Sequence, residues 1–302
     1  MTEPDRGTDA ARARDVLARG GLVGFPTETV YGLAASITNE EAIRRVFAVK
    51  GRPVDHPLIV HVADAEAARL IAGDWPDVAR RLAEAFWPGP LTLIVQRSAD
   101  VPDIVTGGRN TVAIRVPSQP LAREVLSLLG RAVVAPSANR FGKVSPTTAQ
   151  HVADDLANDV DYILDGGPCD VGVESTIVDC TTDPPQVLRP GAVTMEQIES
   201  VIGEVAPASG PSRASGMLDS HYAPRCRILT VDSIERAQSE LMGPDTRLID
   251  AASDPVAAAH DLYTQLRACD RDGIATAVIV LPPAGGLGDA LRDRILKAAA
   301  GR

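Results

Sequence analysis

Short apolar runs alternate with helical stretches along nearly the whole chain, and that alternation restricts the fold to the α/β class or a mixed-sheet α+β arrangement. Residues 22–25 and 58–62 read as short buried strands, and further strands are predicted near 91–96, 111–116, 131–135, 161–164 and 174–179. Helices are predicted over 9–19, closed by Gly20-Gly21, and over 40–49, capped by Asn39 with Ile43, Val46 and Phe47 on one face. Others fall near 64–72, 76–86, 119–129 and 147–157. The spacing is irregular, so strand order does not follow from it. No glycine-rich dinucleotide fingerprint and no P-loop follows an early strand. A nucleotide site in this chain has to be built another way.

The pattern breaks at 203–225, a stretch rich in Ser, Gly, Pro and Ala with little periodicity, which reads as a linker. It separates a first domain, 1–202, from a small α/β unit, 226–302. In that unit strands are predicted at 226–230, 246–249 and 274–280, and helices at 232–241, 254–268 and 288–299.

Composition removes several function classes. Aromatic residues make up only 3% of the chain, so the core is aliphatic and base-stacking platforms are not expected. A net charge of -10 is wrong for a protein whose main task is to coat nucleic acid. The four cysteines, Cys169, Cys180, Cys226 and Cys269, form no CxxC pair and read as reduced structural thiols. No stretch approaches the ~20 apolar residues of a membrane span. The polar start, 1–9, lacks the apolar core of a signal peptide. The expectation is a cytoplasmic protein without membrane contact.

Six segments carry polar chemistry, and most have two readings. Phe25-Pro26-Thr27-Glu28-Thr29-Val30-Tyr31-Gly32-Leu33 puts Thr and Glu at a strand end, either as turn chemistry or to orient a small polar substrate. Lys50-Gly51-Arg52-Pro53 complements a helix dipole or clamps phosphate. His61 closes the apolar strand that follows, packed or facing a site. Thr111, Ala113 and Arg115 share one face of a strand, and an inward Arg needs an anion, from the protein or from a substrate. Ala135-Pro136-Ser137-Ala138-Asn139 and Ser145-Pro146-Thr147 are ordinary caps or phosphate donors. Glu174-Ser175-Thr176 and Leu188-Arg189-Pro190-Gly191 form the fifth segment. The sixth is His221-Tyr222-Ala223-Pro224, a pair of rings inside a connector, where binding is a better account than packing.

In this order and at these intervals, the segments FPTETVYGL, KGRP-x-x-x-PL, APSAN, GVESTI and LRPG resemble the threonylcarbamoyl-AMP synthase family in its longer, two-domain form. The resemblance runs from about Gly20 to Gly191, resumes at 215–224, and touches Gly286-Leu287-Gly288-Asp289-Ala290 near the end. It implies a twisted mixed sheet of YrdC-like type with a concave, basic cavity, followed by a small Rossmann-like α/β domain. It also implies that threonine, bicarbonate and ATP are joined as threonylcarbamoyl-AMP with release of pyrophosphate. A separate transferase complex then passes the threonylcarbamoyl group to tRNA, and a weak tRNA contact is expected.

By the same resemblance, Lys50 and Arg52 are the catalytic cations on the phosphates. His56, Thr111, Ser137, Asn139, Ser145, Arg189 and Tyr222 join them around ATP, with Tyr222 making the linker a lid. Arg115 would fork the threonine carboxylate, with Thr27, His61 and Ser175 around the side chain and amine. Mg²⁺ would come with ATP, held by phosphate oxygens and water, with no ligand from a protein side chain. His56 stands where the family usually has Asn, and Ser215 where it usually has Pro. Leu218, Asp219 and Ser220 replace basic residues that often precede the His-Tyr pair. Two other readings fit parts of the pattern. One is an RNA- or ribosome-associated binding module, against which the acidic total stands. The other is a carbamoyl-transfer enzyme of the same fold, whose acylphosphatase and zinc-finger segments have no counterpart here.

Overall fold

A computed structural model describes residues 4–301 apart from 211–213, 215, 218–220 and 241–242. The chain begins with β1 (Arg6–Gly7), α1 (Ala10–Ala18), β2 (Val23–Phe25), β3 (Gly32–Ser36), α2 (Glu40–Lys50), β4 (Ile59–His61), α3 (Ala65–Ile71) and α4 (Asp77–Phe86). It continues with β5 (Leu91–Gln96), α5 (Asp103–Thr106), β6 (Thr111–Arg115), α6 (Pro120–Leu129), β7 (Val133–Val134), α7 (Ala149–Leu156) and β8 (Tyr162–Leu164). Then come β9 (Thr176–Asp179), β10 (Gln186–Arg189), α8 (Met195–Ile202) and β11 (Ala206–Pro207). These strands form one mixed sheet in the order β1-β8-β2-β3-β7-β4-β6-β5-β9-β10-β11. The remainder, β12 (Arg227–Val231), α9 (Ile234–Glu240), β13 (Thr246–Asp250), α10 (Pro255–Arg271), β14 (Thr276–Val280) and α11 (Leu287–Ala299), builds a parallel three-stranded sheet ordered β12-β14-β13.

Local signals explain most boundaries. In α2 the Asn39 side chain accepts from the Ala42 N–H, Glu40 and Glu41 sit in the first turn, and Gly51 stops the helix in the left-handed region at φ 66°. In α10 Pro255 occupies the first turn behind the Asp254 cap. The strand β3 has no sequence signal of its own, since Gly32-Leu33-Ala34-Ala35-Ser36 lacks β-branched residues. It forms because it is wholly buried between antiparallel partners β2 and β7. Short β10 and the capping-box helix α8, opened by Thr194 and Gln197, also go beyond the sequence reading.

The two faces of the large sheet differ. One packs Val60, Leu93, Ile114 and Val178 into the main core with Val46, Phe47, Leu82 and Ile198 of the helices. On the other, Ile59, Ala113, Ile94, Ile177 and Leu188 form a smaller apolar floor, covered by Ala214 and Met217 rather than by a helix. Those two residues belong to the predicted linker. Ala206–Pro207, also in that stretch, extends the large sheet by pairing with β10. The small sheet's helices share a core with the large unit: Val30, Val144 and Val173 pack with Tyr222, Leu262, Tyr263, Leu266 and Ile295. Among the described residues, no helix is long and apolar enough to cross a membrane.

Candidate active site

Strand register assembles the polar row that ends the apolar floor. In β4 and β6, which run parallel, His61 pairs with Arg115 and Ile59 with Ala113. Beside them, the hydroxyls of Thr92 in β5 and of Ser175, just ahead of β9, are 2.7 Å apart. Period-two alternation therefore puts His61, Arg115 and Thr92 on the face that no helix covers. Thr27, Arg52, Ser137, Glu174, Arg189, His221 and Tyr222 close round this row to line a cavity of about 50 Å³.

Arg115 is buried and holds its fork in place through several contacts. Its Nη1 donates to Thr29 Oγ1 at 2.8 Å and its Nε to Gly89 O at 3.3 Å. Nη2 lies 2.9 Å from Glu28 Oε1, an ion pair without the alignment of a hydrogen bond. Of the two anions considered for an inward arginine, the protein carboxylate is thus present, while the guanidinium still faces the cavity. Thr27 makes a local turn: its hydroxyl donates to Val30 O at 2.7 Å and accepts from Val30 N at 3.2 Å. Ile59 O can only accept, and His61 Nδ1 lies 3.3 Å from it, so Nδ1 carries the proton and Nε2 is an acceptor.

The nucleotide-class residues divide. Arg52, Ser137, Arg189 and Tyr222 line the cavity. Lys50, Asn139 and Ser145 stand behind that lining. The Lys50 ammonium donates to Asn139 O at 2.6 Å, to Asn139 Oδ1 at 3.2 Å and to Ser137 O, which uses its three donors. Burial first, then Arg52, pushes its pKa well down. Ser145 Oγ donates to Glu174 Oε1 at 2.6 Å. His56 and Thr111 are not brought to the cavity wall. The His56 ring packs edge-on against Phe141 at 5.6 Å, and burial and Arg52 lower its pKa, so a neutral imidazole prevails there at neutral pH. Thr111 begins β6 and Arg115 ends it, on the same face but at opposite ends.

Two further residues, Glu174 and His221, also line the cavity, and no local sequence pattern assigns them a role. Glu174 accepts from Ser145, from Tyr263 Oη at 2.8 Å and from Arg294 Nε at 2.7 Å. His221 Nδ1 is buried with no hydrogen-bond partner among the described residues. Tyr222 is fully buried, stacked on Tyr263 at 5.7 Å, with a left-handed backbone at φ 63°. Gly216 leaves room for it, since a Cβ there would lie 2.8 Å from Tyr222 Oη. Of the predicted linker, Ser215, Leu218, Asp219 and Ser220 lie outside the described residues.

Burial lowers both His61 and His221 to about 3, with Arg115 adding to the effect at His61 and nearby cations at His221. Their folded pKa values lie below the unfolded value near ~6.5, so the unfolded chain binds more protons in between. Stability is therefore fully present above about pH 6.5 and falls as the pH drops, by up to about 1.4 kcal/mol per pH unit for each ring. Tm should decline steadily between about pH 7 and 5, and a His61→Asn/His221→Gln variant should flatten that slope. A wild-type Tm constant over the range would show that neither ring is held neutral.

A family model described as Telomere recombination, covering Sua5, YciO and YrdC, matches residues 15–191. A second, described as Threonylcarbamoyl-AMP synthase, C-terminal domain, matches residues 193–300. The threonylcarbamoyl-AMP synthase of Pyrococcus abyssi is 40% identical over 95% of this chain and 92% of its own length. That of Bacillus subtilis is 39% identical over 97% of this chain and 93% of its own. The crystal structure of P. abyssi Sua5 complexed with L-threonine superposes with a TM-score of 0.92 at 37% identity, covering 100% of this chain and 98% of that one. With both models matched in sequence and the whole fold matched in space, the chain belongs to the threonylcarbamoyl-AMP synthase family in its two-domain form.

Proposed function

We propose that this protein joins L-threonine, bicarbonate and ATP into threonylcarbamoyl-AMP and pyrophosphate. The observation that carries this reading is the convergence of Arg115, His61, Ser175, Arg52 and Arg189 on one cavity. The threonine amine condenses with bicarbonate, losing water, to a carbamate. A carbamate oxygen then bonds to the α-phosphorus of ATP as the bond to pyrophosphate breaks. Carboxylate, carbamate and triphosphate repel one another, and fixed cations in a shielded site offset that repulsion.

Arg115 forks the threonine carboxylate. His61 Nε2, the acceptor left by the Ile59 contact, takes the threonine hydroxyl proton in a hydrogen bond. Valine would leave that atom unpaired, whereas serine differs only by a methyl worth about 1–3 kcal/mol. Thr27 and Ser175 complete the amino-acid side. Arg52, Arg189, Ser137 and Tyr222 serve the nucleotide. Thr111 and His56 belong to its outer reach. A space of about 50 Å³ holds a water or two but not ATP, so Tyr222 and its connector have to withdraw for the nucleotide to enter.

Lys50 shapes the Ser137–Asn139 turn and adds charge from behind it. Lys50→Ala should raise KM for ATP and cut kcat/KM roughly tenfold to a hundredfold, since three acceptors lose their donor. An ATP-dependent rate equal to wild type would remove Lys50 from the machinery.

Mg²⁺ enters this reading with ATP. Among the described residues no cluster of His, Cys, Asp or Glu could hold a metal; the cavity carboxylate Glu174 is engaged by Arg294, and Glu28, behind the lining, by Arg115. That donor set suits an ion held by phosphate oxygens and water, which would neutralise charge on the departing pyrophosphate. Transfer of the product to tRNA by a separate complex, a weak tRNA contact and a cytoplasmic setting belong to the same proposal. Mass spectrometry of a reaction with ATP, bicarbonate, threonine and Mg²⁺ should show threonylcarbamoyl-AMP. Pyrophosphate release that is indifferent to threonine would overturn the reading.

A further inference from the structure

The most deeply buried charged side chain is on the far unit. Arg294, on α11, is fully enclosed although it belongs to the small sheet's helices. A guanidinium so placed needs partners for its charge and its five N–H groups. Nε donates to Glu174 Oε2 at 2.7 Å, Nη2 to Pro190 O at 3.0 Å, and Nη1 meets Asp293. The charged carbon lies 5.3 Å from the centre of the Tyr222 ring. One turn on, Lys297 pairs with Asp293 at 2.7 Å and donates to Gly216 O at 2.6 Å.

Two partners of Arg294, Glu174 and Tyr222, line the cavity, and a third, Pro190, adjoins it in sequence. Glu174 precedes Ser175, and Pro190 follows Arg189. Ser175 and Arg189 are themselves joined, because Arg189 Nε and Nη2 donate to Ser175 O at 3.0 and 2.9 Å. The other Glu174 oxygen fixes the Ser145 hydroxyl. We infer that Arg294 is a positioning residue of the active site: through Glu174 and the Pro190 carbonyl it sets Ser145, Ser175 and Arg189, so that the small domain supplies part of the catalytic framework. This rests on the reading of the cavity given above and adds a residue from outside it.

The alternative is a strut that matters only for stability, and pH separates the two. Glu174 faces Arg294 from α11, Tyr263 from α10, Arg189 from β10, and His221 and Tyr222 from the connector. Burial acts to raise its pKa, but Arg294 and Arg189 outweigh burial and bring it down to about 2. Without Arg294, burial is opposed by Arg189 and the remaining donors alone, and the carboxyl moves up toward the working pH.

The test compares wild type with Arg294→Met, Arg294→Met/Glu174→Gln and, as a milder change, Tyr263→Phe. Arg294→Met should lose at least about thirtyfold in kcat/KM at pH 8 and gain an acid limb, its rate falling further toward pH 6. Removing the titrating group in Arg294→Met/Glu174→Gln should abolish that limb. Tyr263→Phe, which keeps the charge pair, should fold, lose about three- to tenfold and leave the profile nearly flat. If Arg294→Met does not fold, Arg294→Lys should show a partial loss, because it keeps the charge and drops the Pro190 contact. Rates within about twofold of wild type, with an unchanged pH profile in every folded variant, would overturn the inference. A substrate-free arm keeps it separable from the proposed reaction: a carboxyl raised above its unfolded pKa takes up protons on folding, so Tm of Arg294→Met should fall with acid less steeply than wild type, and Arg294→Met/Glu174→Gln should not show that gain. Equal slopes for all three proteins would overturn it even if the reaction assignment held.

Discussion

Arg115→Ala is expected to lower kcat/KM for threonine by about a thousandfold, which corresponds to about 4 kcal/mol of lost transition-state stabilisation. The side chain is buried, fixed by Thr29 and Gly89, and aimed into the cavity, so little would relax to replace it. A second loss follows from Glu28, its buried neighbour at 2.9 Å. Removing one member of a buried pair strands the other, at a cost of about 3–5 kcal/mol in stability. The two effects separate in Arg115→Met/Glu28→Gln, which leaves no stranded charge. That variant should recover most of the Tm while remaining crippled for threonine. Calorimetry provides the direct check, and threonine affinity unchanged in a folded variant would remove Arg115 from the carboxylate site.

Deleting residues 215–302 is expected to cost at least about a hundredfold in turnover and most of the soluble protein. The deletion uncovers Val30, Val144 and Val173, which share a core with Tyr222, Tyr263 and Leu266. It takes Met217 from the apolar floor and takes Arg294 and Tyr263 from Glu174. A buried carboxylate would then sit among fewer donors, an arrangement that destabilises by several kcal/mol. Adding Glu174→Gln to the truncated chain should restore part of its yield but not its rate. A truncated protein turning over like the full chain would show that the second domain contributes nothing to the site.

Much of this was legible in the residues. Hydrophobic periodicity located most helices and strands within one or two positions, because those elements carry their own caps and apolar faces. β3 was not legible, since its small residues acquire strand geometry only from neighbours on both sides. Arg115 and His61 could be placed on the cavity face by alternation, but their juxtaposition depends on a parallel register that no local pattern encodes. Lys50 shows the opposite difficulty. A lysine in such a motif reads as a phosphate ligand, yet its three carbonyl acceptors come from a turn almost ninety residues away. Arg294 was the least visible. On a helical pattern it resembles a solvated surface charge, and only the packing of two domains reveals that it is enclosed.

The left-handed backbone at Tyr222 bears on how the connector behaves over a reaction cycle. A bulky residue held at positive φ stores about 1–3 kcal/mol of strain, and under the lid opening proposed above that energy would be returned as the segment withdraws. The seated ring is thus preloaded like a spring catch. Its occupancy of the closed position is roughly five- to 150-fold lower than the same contacts would give with a relaxed backbone. Firm packing and easy release can therefore coexist in one tyrosine.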